Sequence, residues 1–330
     1  MDLERLSRDF LRALRGHRSQ TAFSRRLGYK SNVAYSWESG RRAPSAAEVL
    51  RAADRLGWDV RGAFRSFFRE PPAFVEEGEA HSAEMIARFL DEIRGQTPMV
   101  RLAALTGLSR FSVARMLSGQ TEPSLLDFFR LVEASSLRLL DWIASLVDPA
   151  TLPEAKERWA QIEAQRGLIY SRPWTQAVLR VRELEAYRQL SGHTPGWIAD
   201  RVGIPMEEEV ECLKALSTAG QVRWVDNRWQ LEPGLSVDTR RDPASGRRLK
   251  AWWTGVAREK LEAGAEGLFS YNVFSVSEAD YARLRELHLS YFWSLRAIVA
   301  ASEPMERVIV ANVQLFPLDA PPETGAGSDR

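Results

Sequence analysis

Apolar residues over the first 70 positions recur at helical spacing, in short blocks separated by glycine or by a polar capping residue. The pattern predicts a helix over residues 3–14 and a second capped by Ser19, with Ala22, Phe23 and Leu27 facing inward. Gly28 then supplies a left-handed turn that a Cβ would disfavour. A third helix, capped by Ser31, places Ala34 and Trp37 on its inner side and points Lys30, Ser31, Asn32, Val33 and Ser36 outward. Two further helices are expected over residues 46–56 and 60–68.

The same block recurs 79 residues later. Gly28, Gly40, Pro44 and Ser45 return as Gly107, Gly119, Pro123 and Ser124, with helices expected over 102–106 and 109–118. Between the copies, residues 71–80 carry Glu76, Glu77, Glu79 and two prolines, the signature of an exposed acidic linker.

Beyond about residue 151 the pattern changes. Helices over 154–165, 174–190, 195–202 and 206–219 precede a hairpin over 222–231 that turns at Asp226-Asn227. Trp224 and Trp229 flank the turn as a cross-strand pair. Helices and a hairpin in this order describe a winged helix, but Glu207, Glu208, Glu209 and Glu211 give its last helix an acidic face that repels phosphate. The remainder reads as α+β: helices over 249–263 and 278–301, and strands over 268–276 and 307–316. Ile309, Ala311, Val313 and Leu315 form one apolar face of the second strand.

Gln20, Gly28, Trp37, Glu38, Gly40 and Pro44 stand where the Xre/Cro family of phage-repressor-like domains has its pattern, and the first block resembles that family. The resemblance implies a five-helix helix-turn-helix domain whose third helix enters the major groove. It further implies that Gln20 and Thr21 meet phosphate or a base edge at a helix N-terminus. Asn32 has the two-headed amide that can pair with adenine, Ser31 can bond either way, and Arg41 and Arg42 are placed to meet phosphate.

In the second copy Met99 and Val100 replace Gln20 and Thr21, while Ser109, Arg110, Ser112 and Arg115 are the candidates for contact. Phe111 is expected to face outward, toward a thymine methyl or a protein, and DNA and protein contact stand level for this copy. Residues 168–318 resemble an uncharacterised bacterial regulator family, a domain of unknown function. The residues that carry this are Tyr170, Trp174, Ala177 and Arg180, then Trp197-Ile198-Ala199, Phe274-Ser275-Val276-Ser277 and Val313-Gln314-Leu315-Phe316-Pro317-Leu318.

Charge separates the two copies. Residues 1–70 hold 15 Lys and Arg against 8 Asp and Glu, whereas residues 81–150 hold 7 against 8, in a chain of net charge +1. The first copy is therefore expected to bind DNA as an isolated fragment and the second is not.

The expected fold class is mainly α with a smaller α+β part. Tandem five-helix helix-turn-helix domains (1–70 and 81–150) lead into a winged-helix-like domain (151–235), an α+β dimerisation or sensor domain (236–318) and a disordered tail (319–330). The expected function is a sequence-specific regulator of transcription on double-stranded DNA. Repression is the expected mode, because occluding a promoter needs no further surface. The alternative is an adaptor that uses the repeats as interaction modules.

A homodimer through residues 168–318 is expected, with the 307–316 strand and Trp252-Trp253 as candidate surfaces. An effector, small molecule or protein, is left open. No cofactor, metal or catalytic residue is expected: His17, His81, His193 and His288 lie far apart, and no phosphate loop or nucleophile elbow occurs. The single cysteine, Cys212, excludes an internal disulfide. With no long apolar run or signal peptide, a bacterial cytoplasmic, nucleoid-associated location without membrane contact is expected.

Overall fold

The computed structural model of the protein describes residues 1–319 other than 69, 96, 232–238 and 240. The first repeat comprises α1 (Leu3–Arg15), α2 (Gln20–Arg26), α3 (Val33–Glu38), α4 (Ala46–Arg55) and α5 (Val60–Phe67). Side chains of Asp2, Ser19, Asn32, Ser45 and Asp59 accept main-chain N–H groups at the five starts. Asn32, not Ser31, is thus the cap of α3, which moves the helix start by one residue and turns Val33 into the core. Ala22, expected to face inward, is exposed.

The second repeat comprises α6 (Ala83–Arg94), α7 (Met99–Thr106), α8 (Arg110–Leu117), α9 (Leu125–Ser136) and α10 (Leu139–Ile143). Gly28 and Gly107 both turn with positive φ, +88° and +70°. The bonds Arg42 N to Ser36 O and Thr121 N to Arg115 O both measure 3.1 Å, so the loop after the third helix is built twice in the same way.

The repeats are not separate beads. Ala46 N donates to Pro123 O and Leu125 N donates to Pro44 O, each at 2.9 Å, closing an antiparallel bridge between Ser45 and Ser124. Both bonds join equivalent residues and each maps onto the other when the repeats are exchanged, so a local two-fold axis passes between Ser45 and Ser124. Helices α4 and α9 pack across this axis, as do α5 and α10.

Aromatic side chains fill the space around the axis. Phe10 packs edge-on against Phe129 at 5.6 Å, Phe64 against Phe89 at 4.7 Å, and Phe128 against Trp142 at 5.0 Å. One continuous core therefore runs from Leu6 to Ile162, and the boundary expected at 71–80 is packed onto it. Val75 is buried, Arg61 donates to the carbonyls of Val75 and Gly78, and Glu76 pairs with Arg65 at 2.7 Å.

Helix α11 (Lys156–Ser171) links this core to the next. Its N-terminal half buries Trp159 and Ile162 on the first core, and its Leu168 packs on the second. Buried Arg166 ties it to Asp141 of α10 at 2.6 Å. The second core is built by α12 (Trp174–Val181), α13 (Glu185–Arg188), α14 (Trp197–Val202), α15 (Met206–Thr218) and the hairpin β1 (Val222–Val225) and β2 (Arg228–Leu231). The helix expected over 174–190 is broken in two between Val181 and Glu185.

Asp226 and Asn227 have φ of +49° and +60°, and Trp224 pairs with Trp229, their rings 5.0 Å apart. The chain continues through α16 (Pro243–Glu262) and α17 (Glu278–Ala301). Residues 268–276 and 307–316 are extended but pair with no strand among the described residues, so the two expected C-terminal strands form no sheet there; Val308 packs on the second core, and the Asn312 and Gln314 side chains donate to Thr254 of α16. The tail expected to be disordered lies, from residue 320, outside the described residues.

Candidate nucleic-acid interface

Burial of Phe23, Ser24 and Leu27 fixes α2 so that Thr21, Ala22, Arg25 and Arg26 face solvent. Burial of Val33, Ala34 and Trp37 fixes α3, leaving Lys30, Ser31 and Asn32 exposed at its N-terminal end. The two helices pack on each other around Gly28 as a helix-turn-helix, and the start of α3 is exposed.

The expected site residues separate into outward and structural groups. Thr21, Lys30, Ser31 and Arg41 are exposed, with the Arg41 guanidinium 4.9 Å from the centre of the Tyr35 ring. Gln20 does not project freely: its Nε2 donates at 2.9 Å to Glu38 Oε2. Glu38 is buried and also takes Arg15 at 2.5 and 3.3 Å, so Gln20 belongs to a network that clamps α1, α2 and α3 together. Val33 is core and leaves the list of contact residues.

Asn32 is exposed, yet its Oδ1 accepts from Tyr35 N and lies equally close, 3.3 Å, to Ser24 Oγ. Ser24 has a single hydroxyl proton and gives it to Gln20 O at 2.8 Å, so the capping bond from Tyr35 N is the one that engages Oδ1. While the cap holds, Oδ1 is directed at α3, and Nδ2 is the group with no partner in the motif. Ser36 is half-buried, and its carbonyl accepts from Arg42 N. Arg42 is engaged by Glu48 at 2.7 Å.

Sequence reasoning missed Arg18, Arg25 and Arg26. Among the described residues none of these, nor Lys30 or Arg41, forms an ion pair, so five exposed cations without a carboxylate partner flank or lie on the stretch from α2 to the loop after α3. Their signal lay in helical phase: with Phe23 and Leu27 inward, positions 25 and 26 must face out.

In the second repeat Ser109 caps α8 through Ser112 N, and its Oγ lies 2.8 Å from Ser112 Oγ. Arg110 is exposed, and Arg115 stacks over Phe111 at 5.8 Å. The positions matching Thr21, Arg26 and Asn32 are Val100, Leu105 and Phe111, which are 62%, 58% and 72% exposed. The surface that is polar and cationic in the first repeat is thus largely apolar in the second, with Arg101, Arg110 and Arg115 around it.

The acidic helix of the winged-helix part also differs from its expectation. Glu209 is fully buried, where its carboxylate accepts from Ala199 N at 2.6 Å and Gly196 N at 3.3 Å and so caps α14. Burial holds its pKa above the ordinary carboxylate value despite those donors. His193 Nε2 sits 3.4 Å from Glu209, and its Nδ1 is 3.2 Å from Tyr187 Oη. Burial, and then the charge of Arg182, lowers the His193 pKa, so the neutral ring bridges Tyr187 and Glu209.

Glu208 and Glu211 sit near Arg172, at 3.7 and 3.6 Å. Cys212 is buried beside Glu208, and its thiol is pushed up to about 12, which leaves it protonated and inert. Among the described residues no group of three or more His, Cys, Asp or Glu could hold a metal, and no helix is long and apolar enough to cross a membrane.

Architecture and site together define a mainly helical protein with a small two-stranded element, consistent with a helix-turn-helix and winged-helix type of fold. Residues 153–318 match the domain of unknown function DUF4423, and the chain belongs to that family. No curated protein and no solved structure matches the chain.

Proposed function

We propose that the protein is a non-enzymatic, sequence-specific regulator of transcription that reads double-stranded DNA through an Xre/Cro-like first repeat, with the second repeat as its two-fold companion. The observation that carries this reading is the reciprocal bridge at Ser45 and Ser124. The same local two-fold relates α3 to α8, and helix-turn-helix units related by a two-fold commonly address half-sites one helical turn, roughly 34 Å, apart, which supports this reading. Here both members reside in one chain.

Charge assigns the roles. Arg18, Arg25, Arg26, Lys30 and Arg41 supply phosphate attraction around α3, and Ser31 and the Asn32 Nδ2 are the groups able to meet base edges. Arg101, Arg110 and Arg115 give the second repeat a weaker electrostatic hold, and Val100, Leu105 and Phe111 favour apolar contact there. Repression follows most simply, since a bound unit occludes its site.

Selection of sequences bound by the full chain from random genomic fragments tests the reading. A recurring motif supports it, and uniform recovery of fragments in favour of an adaptor role contradicts it. Salt dependence adds a second readout: Arg25→Ala/Lys30→Ala should flatten the slope of log affinity against log salt by about 1.8, near 0.9 for each phosphate contact removed.

A further inference from the structure

Of the 26 exposed large hydrophobics among the described residues, 16 fall between Leu268 and Leu318. Leu268 is 105% exposed and Tyr271 90%, followed by Val273, Phe274 and Val276 on the same extended segment. Residues 307–316 also expose Ile309, Val310, Val313 and Phe316, while Val308 packs on the second core and Asn312 and Gln314 hold the segment to Thr254 by their side chains alone. Both segments are rich in β-branched and aromatic side chains, yet no main-chain hydrogen bond forms along residues 268–276 or 307–316 among the described residues.

Between them α17 runs for 24 residues, about 36 Å, and none of its described side chains is buried. Its described polar tie to the rest of the chain is Arg285 to Glu70 at 2.7 Å. A helix of this kind gains most of its stability from packing, and its own chain offers little.

We infer that residues 268–318 form an intertwined interface with a second copy of this chain, in which the extended segments become paired strands and α17 is covered. Area supports this occupant. Six exposed aromatics, at on the order of 100 Å² each, and ten aliphatic side chains bring the apolar surface to roughly 1,000 Å² per copy, above the ~800 Å² per partner of a stable complex.

Charge supports it as well. Residues 268–318 hold 4 Arg against 5 Asp and Glu, so two copies meet without like-charge repulsion. Each copy also offers unpaired strand edges, which a two-fold operator satisfies reciprocally. Trp252 and Trp253 are not part of the surface: both pack edge-on against Trp174 of the same chain, at 5.1 and 5.6 Å, and Trp253 Nε1 donates to Gln176.

Light scattering and amide hydrogen exchange on the full chain test the inference, with Tyr271→Asp/Val273→Asp and Ile309→Asp as independent variants. At micromolar concentration the wild type should have the mass of two chains, with exchange in 268–276 and 307–316 slowed on the order of 100-fold relative to the variants. Both variants should have the mass of one chain, with exchange across α1 to α10 unchanged. A wild type of one-chain mass overturns the interface and leaves the segments to a different protein. A dimer whose two segments exchange as fast as in the variants, or one that survives both variants, also overturns it.

Discussion

The two repeats share a turn geometry, a loop geometry and a single core, and differ in what they present to solvent. In the first, Glu38 gathers Arg15 and Gln20 into a buried polar clamp, whereas its equivalent in the second is the apolar Leu117. In the first, Thr21, Arg26 and Asn32 face out, whereas in the second Val100, Leu105 and Phe111 do. The interior of the duplicated unit is thus tied to its two-fold partner, and the outer face has been free to diverge.

The comparison breaks first at the core. Phe10 is fully buried against Phe129 and Trp142, both from the second repeat. Phe10→Ala should cost about 3–5 kcal/mol, and hydrogen exchange should show both repeats opening in the same transition. Independent opening of α1 to α5 would separate the repeats again. For the same reason residues 1–70 alone, expected from their charge to bind DNA, should lose helical signal and binding together, because they would expose Phe10, Leu50 and Phe64.

The polar clamp is the next test. Glu38→Ala leaves the Arg15 guanidinium without its buried partner and should cost about 3 kcal/mol in a urea titration. Installing the second repeat's residues, Glu38→Leu with Gln20→Met, should recover a measurable part of that loss. An unchanged urea midpoint in both variants would show that the clamp is dispensable.

Asn32→Ser retains a capping oxygen for α3 while removing the outward amide. Preference for a selected sequence should fall by about 1–3 kcal/mol in competition binding, with little change on random DNA. A similar substitution at Phe111 should leave base preference intact.

The smallest effect is in the winged-helix part. Burial lowers the His193 pKa, so on acidification below about 6.5 the unfolded chain takes up a proton that the folded chain refuses. Stability should fall with pH in that window, by at most about 1.4 kcal/mol per pH unit. The raised carboxyl of Glu209 opposes this, since its protonation favours the folded state as pH falls. His193→Gln should therefore reverse the sign of the slope, which denaturant titrations at a series of pH values would detect.

Much of this was legible in the sequence. The helices, the duplicated loop and the hairpin with its Asn at the turn all follow from local spacing and from residues that tolerate positive φ. What spacing could not supply was the partner of each apolar face. Six of the ten residues of α4 are buried, more than the stripe of a helix with one neighbour, and that excess was the available hint of the two-fold contact.

The partners of the site residues were hidden for a related reason. A polar side chain at a helix start can read a base or close the helix, and only the position of Tyr35 N showed that the Asn32 carbonyl is already engaged. Likewise Gln20 and Arg42 had partners, Glu38 and Glu48, distant enough in sequence to escape a local reading.

In the proposed function one chain carries a two-fold pair of helix-turn-helix units, of which the first dominates base reading. The most direct measurement is the set of DNA sequences selected by the full-length wild type, by Asn32→Ser with Arg25→Ala, and by Arg110→Ala with Arg115→Ala. The expected result is a recurring wild-type motif, loss of its defined half in the first variant, and near-retention of the motif in the second. Equal losses in both variants, or no motif for the wild type, would contradict it.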